Sequence, residues 1–555
     1  MIEQKLEQIL HNVEKPARYT GGEFNQIVKD INNVNIRVAF CFPDTYEIGM
    51  SNLGLRILYG VLNNIDDVWC ERVFTPWIDM ESEMRNNGIP LYSLESYTPL
   101  SDFDIIAFSI GYELSYTNVL NMLDLAGIPL RCTDRGEEDP LVMAGGTCCY
   151  NPEPMAAFID LFVIGEGEEV IVELIDIHRS AACKTDFLHN AATLKGVYIP
   201  SLHNENAPPV KKRIVDDLDS AHYPEKPILP SIGIVHDRIV LELFRGCIRG
   251  CKFCMAGYTG NPVRSRSPET LVKQGIAAIQ NSGYDELALL SLSTSDYRHL
   301  DELCDELLEW CESRKVSLSL PSLRADNFSI ELMERVQKVR KSSLTFAPEA
   351  GSQRLRDYIN KNITEEELLE ACRVAFSGGW NSVKLYFMLG LPTETDDDVI
   401  AIADIAHAVL HAWRDHTNNK KRGVRITIST SCFIPKPHTP FQREAQISIA
   451  EYLNRVNLLK RSIRSKSITY NWHSPQQGYI EAVLARGDKQ IGNVIETAWK
   501  LGARLDSWSE FFSFNIWEAA FHECSIDPEH YAMRKRADDE KLPWDVVSVR
   551  GCSHD

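Results

Sequence analysis

From residue 36 onward the chain alternates short continuous apolar runs with stretches whose apolar residues recur every three or four positions. The runs read as strands buried on both faces, and the periodic stretches as helices with one apolar stripe. Asn35-Ile-Arg-Val-Ala-Phe-Cys-Phe, Asp104-Ile-Ile-Ala-Phe-Ser, Pro140-Leu-Val-Met-Ala-Gly-Gly and Leu161-Phe-Val-Ile-Gly are such runs. Helices fit the stretch from Asn52, Tyr116 to Ala126, and the residues after the acidic start Glu166-Gly-Glu-Glu. Strands alternating with helices predict a doubly wound, Rossmann- or flavodoxin-like α/β domain over residues 36–185. The first 35 residues open with the pattern of an amphipathic helix, and the Pro-, Asn- and Asp-rich stretch 186–235 reads as a linker.

The alternation resumes over 236–435. Strands are expected at 238–245, 286–292, 316–320, 342–347, 382–389 and 424–431. Helices are expected at 268–282, 297–313, 328–339, 364–378 and 395–414. Six βα units predict an open (β/α)6 barrel of TIM type, whose sites lie at the C-terminal ends of strands. Residues 436–555 form a small α+β region with helices over 446–464 and 489–503 and an aromatic patch at Trp508-Ser-Glu-Phe-Phe that reads as core.

Composition narrows the function classes. With 44% hydrophobic and 25% charged residues the chain has an ordinary globular balance. No apolar run approaches the ~18 residues that cross a bilayer. A net charge of −20 argues against a broad nucleic-acid surface. The basic runs at Lys420-Lys421-Arg422, Lys460-Arg461 and Arg534-Lys535-Arg536 read as solvated faces. Fifteen Cys without a signal sequence point to a reducing, cytoplasmic setting.

One run changes the picture. Arg245-Gly-Cys-Ile-Arg-Gly-Cys-Lys-Phe-Cys places Cys247, Cys251 and Cys254 at C-x3-C-x2-C spacing after the first barrel strand. Thiolates select iron–sulfur clusters, zinc or Cu(I). Cubanes normally take four Cys, so a local triad leaves one corner open, as catalytic metal sites do. There is no C-x2-C pair outside the triad, so a second cluster is not expected. A zinc knuckle or three buried thiols is the competing reading of the triad alone.

The triad, with Phe253 before the last Cys, resembles the radical S-adenosylmethionine (SAM) superfamily. That resemblance implies a 4Fe–4S cluster on three Cys, SAM on the fourth iron, and an electron donor such as flavodoxin or ferredoxin. It also implies SAM-binding roles at the strand ends. Ser293, Thr294 and Asp296 follow the second strand, and Arg324 the third. Glu349, Gly351 and Arg354 stand in Pro348-Glu-Ala-Gly-Ser-Gln-Arg, which matches the family's Glu-x-Gly-Ser segment. Gly390 and Pro392 match its Gly-x-Pro turn. Pro435-Lys-Pro-His-Thr-Pro-Phe is a rigid closing segment.

The N-terminal domain resembles a cobalamin (B12)-binding domain. Asp44-Thr-Tyr-Glu-Ile-Gly, Ser109-Ile-Gly and Gly145-Gly146 follow the order of the cobalamin motifs, with Tyr46 where the cobalt-ligating His would stand. Asp44, Tyr46, Gly49, Ser109, Gly145 and Gly146 are the corresponding candidates. Over nearly its full length the chain resembles radical SAM proteins with this domain, through Leu484-Ala-Arg-Gly-Asp and Leu542-Pro-Trp-Asp as well. The implied activity is reductive SAM cleavage, with cobalamin-dependent methyl transfer to an unactivated carbon where corrin is bound. Methylthiotransferase-like RNA modification and a non-catalytic SAM- or corrin-binding sensor remain alternatives. The substrate is not legible.

Overall fold

The computed structural model describes residues 2–204, 206–320, 344–417 and 423–549. Arg324, the expected helix at 328–339 and the basic run at Lys420–Arg422 lie outside these residues. The chain divides into two compact units. The first comprises the described parts of Met1–Asp237, Leu484–Pro528 and Lys541–Asp555, and the second Arg238–Val483 with Glu529–Glu540.

The first unit is built on β1 (Ile36–Phe42), β2 (Val68–Phe74), β3 (Ile105–Ser109), β4 (Leu141–Gly145), β5 (Leu161–Val163) and β6 (Val197–Tyr198). Their order is β2-β1-β3-β4-β5-β6, parallel except for the β5–β6 pair. The helices α1 (Leu53–Asn63) and α2 (Tyr116–Leu125) lie in the β1–β2 and β3–β4 connections, and α3 (Val170–Ser180) in the β5–β6 connection. The strand order reverses between β1 and β3, and ligands of doubly wound sheets bind beyond the strand ends at such a point.

The apolar pattern missed β2. Its sequence Val-Trp-Cys-Glu-Arg-Val-Phe is buried at all seven positions. Burial is possible because both charges are paired: Arg72 bonds Glu23 at 2.9 Å and Glu95 at 2.6 Å, and Glu71 takes Arg37. Glu23 and Glu95 lie far away in sequence, so nothing local announces the strand.

The second unit repeats strand and helix. Its strands are β7 (Ile239–Glu242), β8 (Glu286–Leu290), β9 (Ser317–Ser319), β10 (Leu344–Glu349), β11 (Ser382–Leu389), β12 (Arg425–Cys432) and β13 (Ile468–Trp472). They form two parallel sheets among the described residues, β9-β8-β7 and β10-β11-β12-β13. β13 is a seventh strand beyond the six expected. Over its five positions only Ile468 is buried, and Thr469, Asn471 and Trp472 are exposed, too little apolar pattern to read.

Local chemistry sets the helix ends. α4 (Pro268–Ser282) starts with Ser267 accepting the Thr270 N–H and Pro at its first turn, and ends at Gly283 with φ 76°. α6 (Glu365–Ser377) and α8 (Ile449–Ser462) carry capping boxes, Thr364 with Glu367 and Ser448 with Glu451. α5 (Gln353–Tyr358) and α7 (Asp396–His416) complete the set used below. α6, α7 and α8 cover one face of the four-stranded sheet, where Val383, Leu385, Phe387, Val399, Ile402 and Tyr452 are buried together.

Candidate functional site

The cysteine loop follows β7 and is pinned by contacts of its own. Gly246 has φ 91°, and a Cβ there would lie 2.9 Å from Pro262 O. Only glycine fits that turn. The Cys247 N–H donates to Asn261 Oδ1 at 3.0 Å, and the Lys252 N–H to Ile359 O at 3.0 Å. Asn360 donates through one amide to Arg249 O at 3.1 Å and Gly250 O at 2.8 Å. The loop is therefore held from the segment after α5 as well as from its own C-terminal side.

These restraints set Cys247, Cys251 and Cys254, all half-buried, around one cavity of about 340 Å³. Phe253, Ser293 and Glu349 line it too, with Arg249, Leu292, Thr345, Lys361 and Ile363. Six expected residues thus meet in one place. Sequence reasoning missed Arg249, Thr345 and Lys361. Lys361 had no motif to mark it; α5 and the positive φ of Asn360, 56°, bring it back beside Glu349.

The other expected residues have structural partners. Thr294 is buried and shares a hydrogen bond with Ser291 Oγ at 3.1 Å. Asp296 accepts from Arg249 Nε at 2.8 Å, which ties the second strand end to the cysteine loop. Gly351 lies against α7, where a Cβ would meet Asp398 O at 2.3 Å. Arg354 bonds Asp398 and donates to Thr393 O at 2.9 Å. Gly390, at φ 91°, donates its N–H to Glu394 at 2.8 Å. Pro392, half-buried, is not in the cavity wall.

The electrostatics of the cavity are specific. Glu349 sits at a register irregularity of β10 with φ 70°, a left-handed conformation that is strained for a side chain of this kind. Burial pushes its carboxyl up, against the pull of Lys361 at 3.5 Å. Burial also raises the Cys254 thiol, opposed by the Gly257 N–H. Metal loading must then release protons. Ser293 Oγ is buried with no hydrogen-bond partner among the described residues. A buried hydroxyl without a partner costs free energy unless a ligand supplies one.

No three Cys, His, Asp or Glu side chains converge on a single ion among the described residues. A cubane does not require this, since each thiolate takes a different iron. Three thiols, a partnerless hydroxyl and a carboxyl around one cavity fit a soft-metal cluster with a polar ligand beside it.

The candidates of the N-terminal unit are arranged differently. Asp44 follows β1, and its carboxylate accepts from Trp508 Nε1 at 2.9 Å and Ser507 Oγ at 3.0 Å. Burial raises its pKa, and these donors oppose the rise. Tyr46 is 1% exposed; its hydroxyl donates to Glu23 at 3.0 Å and accepts the Ser231 N–H at 3.2 Å. The cavity beside Tyr46 holds about 20 Å³, room for one water. Gly49 packs on Phe74, whose ring a Cβ would meet at 2.2 Å. Ser109 and Gly145 are half-buried at the ends of β3 and β4, next to exposed Gly111, Gly146 and Thr147. Gly146 needs its freedom: φ is 109°, and a Cβ would lie 2.5 Å from Ile110 O.

With this geometry in view, comparison with known proteins is direct. Residues 241–406 match the family model of the radical SAM superfamily, and residues 54–200 that of radical SAM proteins, N-terminal. The chain belongs to the radical SAM superfamily. It is 29% identical over 474 residues to an uncharacterised protein of Methanocaldococcus jannaschii, covering 85% of this chain and 92% of that one. It is 23% identical over 278 residues to a tRNA-2-methylthio-N(6)-dimethylallyladenosine synthase of Pelotomaculum thermopropionicum, covering 48% of this chain and 58% of that one. Among solved structures, the cobalamin-dependent S-adenosylmethionine radical enzyme OxsB matches with a TM-score of 0.51 at 13% identity, over 95% of this chain and 76% of OxsB. The radical SAM methyltransferase TsrM from Kitasatospora setae matches with a TM-score of 0.50 at 13% identity, over 75% of this chain and 78% of TsrM. These two similarities are similarities of fold.

Proposed function

We propose that the chain is a radical SAM enzyme whose site is the cavity of Cys247, Cys251 and Cys254, and that it transfers a methyl group with the help of a corrin. The observation that carries this reading is the meeting, at the C-terminal ends of parallel strands, of three thiols, Glu349 and the Ser293 hydroxyl, which has no partner among the described residues. Cys247, Cys251 and Cys254 would hold a 4Fe–4S cluster, which with SAM and an external electron donor would supply reductive SAM cleavage.

The protein's own groups have definite tasks in that setting. The Asn261 and Asn360 amides hold the thiols in place before loading. Glu349 offers a carboxyl to an ammonium group, and Lys361 at 3.5 Å opposes the rise in its pKa that burial imposes. Ser293 Oγ gains the hydrogen-bond partner it lacks. Phe253 and Leu292 give the cavity apolar lining. An electron donor such as flavodoxin or ferredoxin is required.

The corrin part of the proposal is supported by the fold shared with OxsB and TsrM and by the exposed Gly111, Gly146 and Thr147 beyond the C-terminal ends of β3 and β4. Corrin would bind there without a protein ligand to cobalt, because the Tyr46 hydroxyl is buried and already bonded. Ser109, Gly145 and Gly146 would offer backbone, as hydrogen-bonding groups free of bulk. A second reading, methylthio-group transfer to RNA, is favoured by the similarity to the Pelotomaculum synthase. The net charge of −20 counts against it.

Anaerobic reconstitution with iron, sulfide and hydroxocobalamin tests the proposal through Fe, S and Co per chain. Iron and sulfide without cobalt would leave a radical SAM enzyme and remove the corrin. Stoichiometric zinc in place of iron would refute both parts.

A further inference from the structure

β11 has two unlike faces. Val383, Leu385, Phe387 and Leu389 are buried beneath the helices, whereas Lys384 and Tyr386 between them are exposed. The register carries that second face across the sheet. Lys384 pairs with Thr345 on β10 and Thr427 on β12, and Tyr386 pairs with Ser429, which pairs with Asn471 on β13. In-register partners of parallel strands project to the same side.

A packed βα barrel fills this side with branched apolar residues. Here hydroxyls and an amide surround a single lysine. Among the described residues Lys384 has no ion pair and no hydrogen bond; its ammonium lies 5.5 Å from the Tyr386 ring. The acids on the corresponding face of the three-stranded sheet are neutralised elsewhere: Glu286 by Arg238 at 2.7 Å, and Glu242 by Arg245 at 3.0 Å. Among the described residues this face therefore carries a positive charge with no carboxylate paired to it, beside the hydroxyls of Thr345, Tyr386, Thr427 and Ser429.

It is also continuous with the cysteine cavity. Thr345, one strand spacing of about 4.8 Å from Lys384, lines that cavity. Two residues beyond Tyr386, Met388 packs in one apolar cluster with Phe253.

We propose that Lys384 is the anchor for a carboxylate or phosphate group of a small anionic substrate. Tyr386, Thr427 and Ser429 supply further hydrogen bonds to its oxygens. This identification rests on the radical SAM reading for its meaning, and its test does not. Lys384 is a substrate-positioning residue, and an ammonium holding an anion through charge-assisted bonds is stronger than any neutral replacement.

The test is calorimetric titration of the full chain with inorganic phosphate and with succinate, at ionic strength fixed with potassium chloride. Butane-1,4-diol is the uncharged control. At least one of the two anions is expected to bind saturably, and the diol not. Lys384→Met should weaken that binding by about tenfold or more, and Lys384→Arg by no more than about threefold. Phosphate alone would indicate a phosphate group, and succinate alone a carboxylate. Absence of saturable binding by both anions, or equal affinity in Lys384→Met, would overturn the proposal. Iron content of the same reconstituted samples is read separately: a chain without iron would refute the radical SAM reading while the titration stood.

Discussion

Two regions of this chain bear cofactor-like motifs, and they differ in what the motif residues do. Around Cys247, Cys251 and Cys254, the motif residues Phe253, Ser293 and Glu349 face a cavity of about 340 Å³, and the buried Ser293 hydroxyl has no partner among the described residues. At Asp44 and Tyr46, the motif residues are satisfied by Trp508, Ser507, Glu23 and Ser231, and the cavity beside Tyr46 holds about 20 Å³. The first set is poised for a ligand. The polar atoms of the second set are already bonded, and the proposed corrin site is instead the exposed Gly111, Gly146 and Thr147 beyond β3 and β4. A motif thus marks a place in a fold, while satisfaction of its polar atoms says whether the place is still open.

The contrast can be broken from either side. The largest effect is expected for Cys251→Ala, which should abolish SAM cleavage; retention of 5′-deoxyadenosine formation would remove the triad from the mechanism. Next comes Arg72→Met in the N-terminal network. It leaves Glu23 and Glu95 buried without their cation, a loss of about 3–5 kcal/mol by denaturant unfolding, and iron content should follow only the folded fraction. Ser293→Ala should separate function from stability. Removing a partnerless buried hydroxyl costs the fold little, whereas SAM affinity should drop about tenfold if the hydroxyl binds it. Tyr46→Phe should do the reverse, costing about 1 kcal/mol of stability and leaving SAM cleavage intact.

A pH-dependent effect concerns Arg354, an exposed motif residue on α5 that bonds Asp398 rather than facing the cavity. Burial would raise the Asp398 carboxyl, but Ser352, the Thr395 N–H and hydroxyl, and Arg354 hold it down at about 2. Its folded pKa lies below the unfolded one, near 3.9. It therefore adds stability above about pH 4 that is lost as pH falls toward about 2. Asp398→Asn should flatten this acid arm of a stability–pH curve.

Much of this was legible in the residues. The apolar runs located β1, β3, β4, β11 and β12, because strands buried under helices need continuous or strictly alternating apolar sequence. The spacing of Cys247, Cys251 and Cys254, and the Pro-Glu-Ala-Gly-Ser segment at Glu349, located the cavity. What escaped depended on distant partners. β2 hides Glu71 and Arg72 by pairing them with Arg37, Glu23 and Glu95. Lys361 reaches the cavity through a chain reversal rather than a motif. The fate of Tyr46 was set by Glu23 and Ser231, neither of which is near it in sequence.

The central claim is that the three thiols hold a redox cluster that activates SAM. Anaerobically reconstituted full-length protein, incubated with SAM and a strong reductant, measures this directly. The account predicts about four irons and four sulfides per chain together with 5′-deoxyadenosine and methionine, all lost in Cys251→Ala. Full iron loading with no 5′-deoxyadenosine, or product formation that survives Cys251→Ala, would contradict it.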